Sequence, residues 1–221
     1  MKKLFILAVV AFVGMTASAQ LISSNTITRQ ETSSNNYSRY AVGYNSVSFS
    51  DDFIDESLTG FSLEWNKGIS VSTTLPLFVE TGIGASYSWT SKDEFDYRFA
   101  TIQVPLNLVY KYELTDGVMI APYAGLYFRG NLFGEHEYDG ETCNWFDDME
   151  DGGWEAKRFS YGFQIGVGVE FNKLYLGISY GTDLNKFIDF DETGYDYSGD
   201  YVRYKFSTKT STFTAKVGFN I

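Results

Sequence analysis

His136 and Cys143, the only histidine and the only cysteine of the chain, stand close together in an acidic stretch. A reactive thiol needs a base beside it, and acyl hydrolysis needs a Ser or Cys activated by a His that an acid orients. No serine can be assigned to His136 by spacing, so the pair reads as tolerated loop residues and the chain as a non-enzyme with no cofactor. A lone cysteine also forms no internal disulfide. A second constellation is the run from Asp189 to Gly194, with Asp200 further on. Asp189, Asp191 and Asp200 loosely echo a calcium-loop spacing, but Thr193 takes the fifth position and no helices flank the run. An acidic loop is the simpler reading, with weak calcium binding as the functional alternative. A third set, Glu64, Glu80, Gln103, Asn107, Lys111, Glu170 and Lys216, is scattered through apolar segments. Buried charges of both signs pair with one another.

Those segments alternate. Phe213, Ala215, Val217, Phe219 and Ile221 fall on one face of a strand, with Thr212, Thr214, Lys216, Gly218 and Asn220 on the other. Phe159 to Phe171 repeats the pattern with Ser160, Gly162, Gln164, Gly166, Gly168 and Glu170 opposed, and so does Ile102 to Tyr112. Five further strands are expected near Tyr37–Phe49, Thr59–Gly68, Leu77–Trp89, Val118–Phe128 and Lys173–Asp183. The first changes facing around Asn45 to Val47, which predicts a bulge. Each apolar face is long enough to cross a bilayer, for which about 9 to 11 tilted residues suffice. A soluble barrel would turn its polar face to water and build it from Lys, Glu and Asp. These polar faces are Gly, Ser, Thr, Asn and Gln, the side chains a narrow interior holds. The pattern therefore predicts an all-β, eight-stranded, antiparallel up-and-down transmembrane β-barrel, its apolar face towards lipid.

The segments between strands are alternately short and long. Short turns are expected near Ile69–Pro76, Leu114–Gly117 and Phe171–Lys173, on the periplasmic side. The outward loops are Asp51–Leu58, Thr90–Tyr97, Gly130–Ala156 and Asn185–Asp200; they hold 21 of the 28 acidic residues and only Lys92 and Lys186 among the bases. The net charge of −11 gives a nucleic-acid backbone nothing to bind. The last two loops add aromatics: Tyr138, Trp145, Phe146 and Trp154 in one, Phe187, Phe190, Tyr195 and Tyr197 in the other. Such residues suit a contact surface for an extracellular ligand or protein, or else pack the loops into a cap. Arg98, Arg129, Lys157, Arg158, Arg203 and Lys205 lie where strands meet loops and are candidates for lipopolysaccharide phosphates. Pairing with loop acids is the alternative.

The amino terminus predicts export. Lys2 and Lys3 precede the apolar run Leu4–Val13 and the small-residue sequence Ala17-Ser18-Ala19. This is the order of a cleavable signal peptide, and the run is too short to span a membrane as a helix. The expected organisation is a signal peptide over 1–19, a flexible lead-in over 20–36 and a barrel domain over 37–221.

The stretch IQVPLNLVYKY over 102–112, the Gly-rich FQIGVGVEF over 163–171, the closing VGFNI over 217–221 and the signal end ASAQ over 17–20 resemble the small outer-membrane β-barrel proteins, often labelled porin-like, of Bacteroides-type bacteria. The resemblance implies fold, outer-membrane location among lipids that include lipopolysaccharide, and a final strand read by the barrel-insertion machinery. It implies little about activity, and a narrow channel for small solutes remains the alternative to a surface-binding role.

Overall fold

The computed structural model describes residues 36–50, 57–92, 94–147, 155–195 and 201–221, with backbone alone at 155, 191–195, 202 and 204. The chain divides into units 1–33 and 34–221, and every described residue lies in the second. The expected signal peptide and all of the lead-in but Asn36 fall outside the described residues.

Thirteen strands follow in order: β1 (Tyr37–Phe49), β2 (Leu58–Ser70), β3 (Leu77–Lys92), β4 (Phe95–Tyr110), β5 (Tyr112–Thr115), β6 (Val118–Tyr138), β7 (Glu141–Asn144), β8 (Glu155–Ala156), β9 (Phe159–Phe171), β10 (Leu174–Asp183), β11 (Ile188–Tyr195), β12 (Tyr201–Thr208) and β13 (Thr210–Asn220). Eight of them close a ring in the order β1-β2-β3-β4-β6-β9-β10-β13, and β13 pairs back onto β1 from Arg39↔Asn220 to Phe49↔Thr210. All pairings around the ring are antiparallel. Closure leaves no unpaired edge, which a strand in hydrocarbon requires.

The outside of the ring is apolar. Val42, Leu63, Leu106, Leu108, Leu176 and Val217 are each between 43% and 65% exposed, and no core of the protein covers them. Aromatics flank this belt: Trp65, Tyr110, Phe171 and Phe219 towards the short-turn end, Phe61, Tyr87, Trp89, Phe128 and Phe159 towards the other. Such a belt belongs in lipid. The chain is a transmembrane barrel.

Inside, large rings lie over glycines. Tyr127 covers Gly162, Tyr123 covers Gly166 and Tyr175 covers Gly168, each so closely that a Cβ would collide with the ring. The glycines of the polar faces are thus the sockets for inward tyrosines on neighbouring strands.

Two expectations are corrected. β1 carries no bulge: its pairing with β2 and β13 runs unbroken through residues 45–47. Asn45, Val47 and Phe49 all point inward and are buried. The change in facing read from the sequence is a change in what fills the interior, from polar to apolar. Register shifts lie instead between Ala100 and Thr101, where β6 inserts Leu132, and between Glu113 and Thr115 of β5. The long segments are also strands more than loops. β6 runs on to Tyr138 and folds back as β7, while β11 and β12 form a hairpin that β8 joins.

Candidate functional site

From the short-turn end upward, the lumen is a stack of polar layers. Arg39 pairs with Glu80, Tyr37 Oη donates to Glu80 Oε2 at 2.7 Å, and Lys111 Nζ lies 2.9 Å from Glu170 Oε1. Lys216 Nζ donates to Glu64 Oε2 at 2.8 Å. Three carboxylates thus meet three cations in one layer, which leaves the layer neutral. The cations also face rings: the Arg39 guanidinium is 3.8 Å from the Tyr175 centroid and Lys111 Nζ 3.5 Å from that of Tyr37. The next layer is an amide ladder, Gln103 Nε2 to Gln164 Oε1 at 3.2 Å and Gln164 Nε2 to Asn107 Oδ1 at 2.7 Å. Above it, Asp183 accepts from Tyr127 Oη at 2.6 Å and pairs with Arg129, which also bonds Thr210.

Between the layers lies a cavity of about 70 Å³, room for a few waters. Asn45 Oδ1, Ser62 Oγ, Asn66 Oδ1 and Arg129 Nε line it without protein partners. Orphaned polar atoms around a small polar cavity are what ordered water satisfies.

An aromatic plug closes the upper end. Val47, Phe49, Leu58, Phe99, Trp145, Phe146, Phe187 and Ile188 form one buried cluster. Phe99 and Phe187 meet edge to face at 5.4 Å between centroids, and Trp145 packs on Phe49 at 5.9 Å. Trp145 lies over Gly134, which has no side chain to obstruct it. The buried indole Nε1–H donates to His136 Nδ1 at 3.0 Å, so His136 is neutral with its proton on Nε2. Burial also pushes His136 below the ordinary histidine value.

The residues singled out from sequence divide accordingly. Glu64, Glu80, Gln103, Asn107, Lys111, Glu170 and Lys216 meet inside the ring through the contacts above. Arg129 is corrected: only 3% exposed, it points into the lumen and is committed to Asp183, out of reach of a lipid headgroup. Trp145 and Phe146 are likewise corrected from contact residues to parts of the plug, at 0% and 8% exposure. Phe187 joins them. Tyr138 is 46% exposed and stacks on Phe95, while Phe190 is half-buried. Arg98 is held by Glu135 at 3.1 Å and Glu137 at 3.2 Å, and Arg158 by Asp147 at 3.0 Å. Lys157 is half-buried, and Arg203 and Lys205 are exposed on β12.

Asp189 accepts from Lys186 Nζ at 2.8 Å, and Asp191 lies on the extended strand β11, where a calcium loop would need a coiled backbone. Asp200, Trp154 and Tyr197 lie outside the described residues, and Tyr195 is described in backbone only. His136 and Cys143 sit directly opposite each other on β6 and β7. Among the described residues no three His, Cys, Asp or Glu side chains gather to hold a metal. Sequence reasoning missed Arg39, Tyr37, Tyr175 and Asp183; the inward period of β1 and β10 was the signal available for them.

No family model and no curated protein matches the chain. Solved structures are similar in fold. The attachment invasion locus protein Ail of Yersinia pestis shares 13% identity over 85% of this chain and 99% of its own, with a TM-score of 0.45. Neisserial surface protein A shares 13% identity over 83% and 96%, with a TM-score of 0.47. The outer membrane enzyme PagL shares 12% identity over 80% and 97%, with a TM-score of 0.44. The barrel assignment rests on the closed ring and its apolar belt, independently of these likenesses.

Proposed function

We propose that the chain is a bacterial outer-membrane surface protein without enzymatic activity, which binds an extracellular ligand or protein through the strands that rise beyond the ring. The observation that carries this reading is the side-chain-filled lumen: among the described residues, paired charges occupy one end and the aromatic plug the other, with a small polar cavity between them. Variable contacts then belong to β6–β7 and β11–β12, which extend past the last ring pairings on a rigid scaffold. The short turns face the periplasm, residues 1–19 are the export signal and residues 20–36 a lead-in. The apolar belt contacts outer-membrane lipid, Arg203 and Lys205, exposed on β12, are the candidates for contact with lipopolysaccharide phosphates, and β13 serves the insertion machinery during assembly.

Cells displaying the intact chain are compared with cells displaying one trimmed of residues 190–206 and 135–143. Ligand or cell-surface capture by the intact form alone supports the reading. Capture that survives trimming moves the site to the barrel wall or the lead-in. The narrow-channel alternative is read in planar bilayers, where stable conductance of the intact protein favours it.

A further inference from the structure

β3 and β4 leave the ring above Trp89, and β6 leaves it above Gly130. Together with β7 they build a four-stranded protruding sheet, whose register places Lys92, Phe95, Tyr138 and Glu141 in one row across the strands. The next row is Thr90, Tyr97, His136 and Cys143. The rings are arrayed rather than scattered. Phe95 and Tyr138 stack at 4.6 Å between centroids and 23°, and Phe95 and Tyr97 lie 6.0 Å apart at 21°. One face of the protrusion is therefore a platform in which Phe95 lies nearly parallel to both Tyr97 and Tyr138; His136 is tilted at 49° to Phe95, and Tyr97 rests on the plug.

Its rim is mainly acidic: Glu94, Asp139 and Glu141 are exposed around the Phe95–Tyr138 pair against one exposed base, Lys92, beside Phe95, while Arg98 is held by Glu135 and Glu137. Aromatic faces attract cations, and carboxylates beside them add charge and hydrogen-bond acceptors. The protein uses this combination within itself, in the lumen at Arg39 and Lys111 and again at the surface: the Arg158 guanidinium lies 4.7 Å from the Phe146 centroid while bonding Asp147 at 3.0 Å. Four strands at about 4.8 Å spacing make a face roughly 14 Å wide, the length of about four extended residues.

We propose that this platform docks a basic polypeptide segment, whose arginine side chains lie over Phe95 and Tyr138 and meet Glu94, Asp139 and Glu141. The assignment rests on the surface-binding reading above and names its partner class. The acidic rim disfavours a sulfated or phosphorylated partner by like-charge repulsion.

The test uses the full-length protein folded in zwitterionic nanodiscs, titrated with a fluorescent oligo-arginine peptide, a neutral Gly-Ser peptide and a sulfated oligosaccharide. Oligo-arginine binds, and the double variant Phe95→Leu/Tyr138→Leu weakens it about tenfold with its salt dependence unchanged. The triple variant Glu94→Gln/Asp139→Asn/Glu141→Gln flattens the salt dependence. Neutralising Glu113 and Asp116 at the opposite end leaves binding as it was. Retained heat-dependent gel mobility shows that each variant is folded. Ring variants that bind like the unaltered protein overturn the platform, since diffuse charge attraction then suffices. Tighter binding of the sulfated oligosaccharide that is lost on trimming the hairpins overturns the partner class but keeps the surface reading; binding that survives trimming overturns both.

Discussion

His136 accepts the Trp145 indole proton at 3.0 Å, and a protonated imidazole has no acceptor to offer. The folded state therefore favours neutral His136, as burial alone also does. Its folded value lies below the unfolded one of about 6.5, so the unfolded chain binds more protons between the two. Stability from this group is complete above about pH 6.5 and is lost as pH falls through the folded value. Because the chain has one histidine, its ring resonance is unambiguous in NMR titration. We expect a midpoint below the ordinary histidine value, and a rise towards that value in Trp145→Phe, which removes the donor and keeps the burial; an unaltered midpoint in that variant contradicts the contact. Lys216 and Glu64 make the second prediction at this scale. Lys216→Met strips Glu64 of its ion-pair partner, leaves it the Asn66 hydrogen bond, and costs about 3 kcal/mol, much of which Glu64→Leu restores in the double variant. The temperature at which the folded gel band disappears measures both; a double variant no more stable than the single one counts against the pair. The sequence placed the interior charges because they fall on the polar side of strict alternation. It misplaced Arg129, since an arginine near a strand end reads alike whether it faces headgroups or a buried Asp183 fifty-four positions away in the chain.

Strands were legible wherever the two faces differ in polarity, as in β9 and β13. β1 defeated that rule because its inward face changes character, from Arg39 and Asn45 to Val47 and Phe49, so polarity ceased to report direction. Glycine-lined sockets were legible as small residues but not as partners of particular tyrosines, because that match depends on register between strands. The outer hairpins were missed for a related reason: above the lipid the outer face of a strand is wet and the inner face packs on the plug at a few positions alone, so alternation is weak. β11 pairs with β12 and with β8, and among the described residues neither hairpin strand pairs with a strand of the ring. Replacing residues 190–206 by a short turn, with Phe187, Ile188 and Thr208 kept, should leave a barrel whose boiled and unboiled mobilities still differ. Loss of that difference would show that the hairpin carries ring stability. Gly166→Leu tests the opposite case. It drives a side chain into the Tyr123 ring and should lower the unfolding temperature of the band, with Tyr123→Ala/Gly166→Leu partly recovering it. No recovery in the double variant would place the cost elsewhere than in that contact.

At the scale of the molecule, the two ends differ in chemistry as well as length. Three ion pairs join β1, β2, β3, β9, β13 and Lys111 across the narrow lumen, while Trp145, Phe99 and Phe187 close the other end without charge. The cavity between them is polar and has room for a few waters. The central claim is that this barrel is a sealed scaffold and that its interactions lie outside it. Single-channel recording of the purified, folded protein in planar bilayers addresses that claim most directly. The unaltered protein should show no long-lived conductance steps, whereas Trp145→Ala/Phe187→Ala combined with Glu80→Gln and Glu170→Gln should show a small leak as both closures loosen. Large, stable conductance steps from the unaltered protein would contradict the sealed lumen and make the chain a channel.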